Sequence, residues 1–353
     1  MKRNPSTCVA VALVAAGALV AGQGRDAGQL LAGARTALGG DKLAAVKTLT
    51  AVGRTVRTNQ AGATVENEFE LALELPDKYL MRSVMMAMGN MSIYRNTGFN
   101  GGQVIEEIAR PPSLSGGTFF MRVSGPGGGA VDPEKMTPEQ KAEFDQKRLL
   151  ANRKEYARLA LGMFAASPAA YPLELSDGGQ AESADGKADV IDVKGEGGFA
   201  ARLFIDSQTH LPLMLSWMDK EPLVMQMGGP GGGAAGPGGG VTMGGGGAVT
   251  MTMSGSGGVT ADAKRSAQAG GASMSQEDRD KLMKDLEARR KDAEAKLRTV
   301  EYRVFYADYK AVGGVQLPHR IQRSIDGKMT EEMVFDSIKV NPKIDAKKFQ
   351  VSK

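Results

Sequence analysis

Hydrophobic and polar residues alternate most cleanly between Glu66 and Leu75. Phe69, Leu71, Leu73 and Leu75 fall on one face, and Glu66, Glu68, Glu70, Ala72 and Glu74 on the other. A period of two predicts a strand with one dry and one wet wall. The rhythm returns near the C-terminus as three antiparallel strands. Tyr302, Val304 and Tyr306 alternate with Arg303, Phe305 and Ala307; Val315, Leu317, His319 and Ile321 share a face after Gly313-Gly314. Val334, Ile338 and Val340 follow the Asp326-Gly327 turn, a pairing that favours hairpins. Further strands are predicted at Tyr79–Met88, Met91–Tyr94, Gln103–Ile108, Tyr171–Leu175, Ala188–Val193, Phe199–Ile205 and Leu211–Met218.

Helical spacing marks three segments. Leu30, Leu31, Ala34 and Leu38 predict a helix over Ala27–Leu38, stopped by Gly39-Gly40, with a short second turn over Asp41–Thr48. Thr137-Pro138-Glu139-Gln140 supplies an N-cap, a first-turn proline and a capping-box glutamine for a helix running to about Met163. A charged helix with a thin stripe of Leu282, Leu286, Ala293 and Leu297 is predicted over 275–298; lacking sustained heptads, it reads as a solvated edge helix.

Composition changes this picture in two places. Gly228–Gly258 is about half glycine (16 of 31 residues), too poor in side chains to offset its ordering entropy. We therefore expect a disordered Gly/Met-rich insertion over 228–274, and a Gly/Pro-rich loop over 124–136. The N-terminus sets the compartment. Lys2 and Arg3 precede the uncharged apolar run Cys8–Val20, and Val20-Ala21-Gly22 offers small residues for cleavage. This is the pattern of a signal peptide over 1–22, and it predicts periplasmic export. Cys8, the single cysteine, would leave with it, so disulfides and thiol chemistry are excluded. A formal net charge of +4 is too balanced for a nucleic-acid partner, and no basic patch is interleaved with aromatics.

Little in the chain could do chemistry. There are two histidines, His210 in a turn and His319 in a strand, and no metalloprotease or nucleophile-elbow motif. The i, i+2 carboxylates of Glu66–Glu74 read as a solvated face. Gly231, Gly233 and Gly236 match a dinucleotide fingerprint formally, but they follow no long strand and open no helix. Methionine is the unusual usage. Met86 and Met88, with Met225 and Met227, form M-x-M pairs whose soft thioethers could hold Cu(I), or simply fill an adaptable apolar pocket.

Four segments carry a resemblance to a known family. They are Ala37–Leu49 (ALGGDKLAAVKTL), the hairpin Leu71–Arg82 bending at Pro76-Asp77-Lys78-Tyr79, the run Phe204–Leu213 (FIDSQTHLPL), and Tyr309–Phe349. Together they resemble the LolA/LolB-type periplasmic lipoprotein carriers and their exported relatives. The resemblance implies an α+β fold in which a curved antiparallel sheet, a half-barrel, is covered by helices around a hydrophobic cavity. It implies one such domain over 23–353, interrupted by the insertions. The F-x-Q element associated with lipoprotein carriers is absent; Leu49–Arg57 stands in its place. The implied function is non-enzymatic: a monomer, without cofactor, that holds a lipid acyl chain or other apolar ligand, with an envelope protein as a possible partner. Strand alternation nominates Phe69, Leu71, Leu73 and Leu75 as cavity-lining residues on one half, and Phe199, Leu203, Leu213, Leu215 and Trp217 on the other. A Met-based Cu(I)-binding protein and an envelope interaction module remain the alternatives.

Overall fold

The computed structural model describes residues 26–58, 64–88, 91–109, 136–183, 186–225, 241–244, 248–251, 288, 292 and 295–350. In chain order the first elements are helices α1 (Ala27–Ala37) and α2 (Asp41–Ala44), then strands β1 (Thr48–Thr58), β2 (Thr64–Glu74), β3 (Lys78–Met88), β4 (Met91–Asn100) and β5 (Gln103–Ala109). Helix α3 (Pro138–Phe164) interrupts the sheet, which resumes with β6 (Leu173–Ser183), β7 (Gly186–Gly195), β8 (Phe199–Asp206) and β9 (Pro212–Lys220). Three short strands follow, β10 (Leu223–Met225), β11 (Val241–Gly244) and β12 (Ala248–Met251), and the chain closes with β13 (Thr299–Val312), β14 (Val315–Ile325) and β15 (Lys328–Val340).

Twelve strands form one antiparallel sheet in the order β5-β4-β3-β2-β1-β15-β14-β13-β9-β8-β7-β6. The C-terminal meander thus lies between the two halves, pairing β15 with β1 and β13 with β9. Its two turns carry positive φ at both central residues, Gly313-Gly314 and Asp326-Gly327, as two-residue hairpins require. Because β5 and β6 end the order, the sheet is open. It is also curled: α3 packs against β4 and β5 near one edge, against β8 and β9 near the other, and against β14 between them. A flat sheet could not present all of these strands to one helix. The protein is an α+β fold, a half-barrel with helices in its trough.

Local chemistry explains where the helices sit. Asp26 caps α1 by accepting from the Gly28 amide at 2.8 Å. Thr137 and Gln140 bond reciprocally at the start of α3, and Pro138 occupies its first turn. The buried face of α3 presents Tyr156, Ala157, Ala160, Leu161, Met163 and Phe164 to the trough, where Leu31 and Ala34 of α1 and its C-cap Leu38 join them. Gly162 sets the depth of the seat. A Cβ there would lie 1.9 Å from Cζ of Tyr306, whose hydroxyl donates to the Arg158 carbonyl at 3.1 Å.

Three findings differ from the sequence expectations. Leu49–Arg57 forms most of β1, which alternates regularly with Leu49, Ala51, Gly53 and Thr55 inward, while the facing strand β15 bulges at Asp336. The outer face of β2 is not wet throughout. Ala72, Leu80 and Ile105 are capped there by Phe349 from the 3-10 turn Ala346–Phe349. Part of the expected structureless insertion is paired: β10, β11 and β12 make a separate three-stranded sheet, with β-branched Val241, Thr242, Val249 and Thr250 in its strands. Of the helix expected over 275–298, Ala288, Asp292 and Ala295 are described and are helical. The predicted signal segment 1–22 and nearly all of the 124–136 loop lie outside the described residues. Among those described, no helix is long and apolar enough to cross a membrane.

Replacing Gly162 with alanine should force Tyr306 out of its notch and cost about 1–3 kcal/mol, as overpacking of a filled core does. Chemical denaturation measures this, and an unchanged midpoint would show that α3 does not sit as described.

Candidate functional site

Most of the trough is filled. A hollow of about 390 Å³ remains where α3 passes over β8 and β9, lined by α3 residues Lys147, Leu150, Ala151, Lys154, Glu155 and Arg158, by Gly197–Ala200, and by Trp217, Met218 and Asp219. That volume falls within the ~300–1,000 Å³ of small-molecule sites.

The wall opposite α3 depends on a glycine turn. Gly197 and Gly198 take positive φ (63° and 75°) between β7 and β8, and a Cβ on Gly197 would come within 2.6 Å of Leu150. The turn is tied to α3 by Lys154, whose Nζ donates to the Gly197 carbonyl at 2.7 Å. From the other side the Tyr171 hydroxyl donates to the Glu196 carbonyl. Trp217 of β9 sits directly across from Tyr302 of β13, and their rings stack at 5.4 Å with 13° between planes. The Arg158 guanidinium lies 4.2 Å from the Trp217 ring centroid and 5.4 Å from that of Phe199. Met218 projects at the rim, 62% exposed, the most exposed large hydrophobic residue among those described.

The floor of the hollow is ionic. Glu155 pairs with Arg158 at 2.5 Å and with Arg323 of β14 at 3.4 Å. Arg323 lies 3.7 Å from Glu331 of β15, which pairs in turn with Arg57 of β1. The chain of charges therefore runs from α3 across the central strands. Burial pushes both carboxyls upward, but for Glu155 the neighbouring Arg158 and Arg323 outweigh it, and for Glu331 Arg57 and Arg323 do. Both are held below the ordinary carboxylate range. Lys154 is shifted down, first by burial and then by Arg158, against the pull of Asp219 and Glu196. Nearer its start, α3 is held to the opposite wing by Arg148–Glu106 at 2.6 Å and by Asn152 donating to the Gly98 carbonyl at 2.9 Å.

The residues nominated from sequence divide into three groups. Phe199 and Trp217 line the hollow. Phe69, Leu71, Leu73, Leu203 and Leu215 belong to the packed core beneath the helices, each less than 5% exposed, and Leu75 packs against it. Leu213 belongs to a separate cluster with Phe204, Met214 and Phe305. A register shift between Phe204 and Ile205 pairs Ile205 with Pro212, so simple alternation through β9 does not hold at Leu213. Sequence reasoning missed Leu150, Lys154, Glu155 and Arg158. The i, i+4 spacing of Leu150, Lys154 and Arg158, with Glu155 three before Arg158, was a usable signal for one helix face. Of the methionines, Met86 and Met88 lie in β3 of the large sheet and Met225 in β10 of the small one; Met227 is outside the described residues. His210 occupies a turn with positive φ, and Nδ1 of His319 lies 3.0 Å from the Leu317 carbonyl. Among the described residues no group of His, Cys, Asp and Glu could hold a metal ion.

No family model matches the chain, and no curated protein matches it either. Among solved structures, similar folds include a LolA superfamily protein from Nitrosomonas europaea, at 8% identity and a TM-score of 0.40, covering 92% of this chain and 98% of that one. A domain described as outer membrane lipoprotein-sorting, from Vibrio parahaemolyticus, is 9% identical with a TM-score of 0.38 over 92% and 97% of the two chains. A DUF1329 family protein from Desulfovibrio piger is 8% identical with a TM-score of 0.42 over 92% and 97%.

The ionic floor makes stability depend on pH in a defined direction. Glu155 and Glu331 titrate lower folded than unfolded, so their contribution is complete above the unfolded carboxylate value of about 4.3. It is lost as pH falls through the lower folded values. Thermal melts should hold steady from neutral pH to about pH 5 and fall below about pH 4. Glu155→Gln should cost about 2 kcal/mol at neutral pH and flatten the acid limb; the cost stays under that of a fully buried pair because Arg323 remains partly solvated. An acid limb as steep as that of the parent protein would remove Glu155 from this role.

Proposed function

We propose that the protein is a non-enzymatic periplasmic carrier that binds the apolar portion of a ligand in the hollow between α3 and the β8–β9 strands. The observation that carries this reading is the contrast within the trough. Almost every apolar side chain beneath the helices is sealed, yet Leu150, Trp217 and Met218 stay accessible around a cavity of ligand size. Apolar groups left open at a concave site gain from covering about 25 cal/mol per Å² removed from water. Export by the 1–22 segment and the motif resemblance to lipoprotein carriers agree with such a role. Lipid acyl chains are the ligand class that combines these features.

The nominated core positions have a different part in this proposal. Phe69, Leu71, Leu73, Leu203 and Leu215 hold the curled sheet against its helices and so keep the hollow in shape. Phe199 and Trp217 are the nominated residues that would touch ligand.

Protein purified from cell envelopes should release lipid on organic extraction, and the delipidated protein should bind a fluorescent fatty acid at one saturable site. Leu150→Asp should weaken that binding about tenfold or more, since a charge would then face the chain. Absence of both extracted lipid and saturable binding would end the proposal.

A further inference from the structure

The hollow is not a greasy tube, and its polar half has a definite sign. Three cations line it, Lys147, Lys154 and Arg158, against two carboxylates, Glu155 and Asp219. Glu155 is already shared between Arg158 and Arg323 and offers little to a third charge. Lys147 sits at the exposed margin with Glu143 as its partner at 2.6 Å. Lys154 differs: its ammonium donates to the uncharged Gly197 carbonyl and has no ion-pair partner among the described residues. Arg158 is 12% exposed, and its Nε is buried without a hydrogen-bond partner even though its Nη1 meets Glu155. An ammonium and a guanidinium four residues apart on one helix face therefore both keep donors to spare. The aromatic and aliphatic surfaces of Phe199, Trp217 and Leu150 lie in the same cavity.

We propose that the hollow selects an anionic amphiphile, with Lys154 and Arg158 taking its carboxylate or phosphate head and Phe199, Trp217 and Leu150 taking the start of its alkyl chain. The proposal rests on the carrier reading and narrows it from apolar ligands in general to acidic ones. Burial supports the sign of the choice. A partly desolvated ammonium without a counter-ion is costly, and an incoming anion offsets that cost through charge-assisted hydrogen bonds. Asp219 opposes negative charge spread further along the same side, which favours one acidic head group over several.

The chain carries its own reporter. Trp217 is the single tryptophan, and it lines the hollow, so tryptophan emission, excited beyond the absorption of the seven tyrosines, reads this site. The delipidated full chain would be titrated with alkyl carboxylate, alkyl phosphate, alkyl alcohol and alkyl trimethylammonium of equal chain length, and with inorganic phosphate alone. Both acidic amphiphiles should bind about tenfold or more tighter than the alcohol, the effect of one charge-assisted hydrogen bond. The ammonium ligand should bind weakest. Lys154→Gln should bring the acid-to-alcohol ratio close to one, and Lys154→Arg should restore it, with unchanged circular dichroism confirming the fold of both variants. Equal affinity for acid and alcohol would overturn the charge selection while leaving the carrier intact. Binding of inorganic phosphate as tight as that of alkyl phosphate would overturn the amphiphile and leave a small-anion site. Binding of no amphiphile at all would remove both this inference and the carrier beneath it.

Discussion

The seating of α3 in the trough is the constraint on which the rest of the structure depends. An open sheet of twelve strands has no closing hydrogen bonds to hold its curl. What holds it is a single long helix that touches both wings at once and buries its apolar face on strands far apart in the order. That contact is close because Gly162 leaves a notch for Tyr306, and it is polar as well as greasy because Arg148 and Asn152 reach one wing while Glu155 reaches Arg323 in the centre. Take the helix away and the strands beneath it in both wings are exposed, with only α1 left as cover.

The same seating creates the hollow. Beyond its buried half, α3 does not lie flush on β8 and β9; the Gly197-Gly198 turn and Trp217 line the space left between helix and strands. The helix has to be anchored there by side chains long enough to bridge the gap, which explains Lys154 reaching the Gly197 carbonyl and Arg158 spanning Phe199 and Trp217. Cavity and charge thus have one origin. The cations that hold the helix over the gap are the cations that a ligand would meet.

The architecture was legible in the sequence to the extent that local pattern determines it. Alternation placed β2 and the C-terminal meander, and the capping box placed the start of α3 to the residue, because turn chemistry and caps are written in neighbouring positions. Strand β1 is a case where local pattern failed: its inward face is Leu49, Ala51, Gly53 and Thr55, small or polar side chains that hide a regular period, and a Cβ at Gly53 would meet the Val334 carbonyl at 2.1 Å. The site was far less legible. Alternation says which face of a strand is dry but not whether a helix will seal it, so Leu71, Leu73 and Leu215 could not be told from Trp217 by pattern. The Lys154 and Arg158 contribution was hidden for a related reason: charges on an amphipathic helix ordinarily face water, and only the tertiary crossing over β8 and β9 turns these inward.

A ligand held between α3 and the β8–β9 strands can be located by photo-crosslinking with a diazirine-bearing fatty acid, followed by peptide mapping. Labelling should be confined to the peptides spanning Lys147–Arg158, Gly197–Ala200 and Trp217–Asp219, and competed away by unmodified fatty acid. Competed labelling centred instead on the outer-face cluster around Phe349, or on the β10–β12 sheet, would contradict that placement.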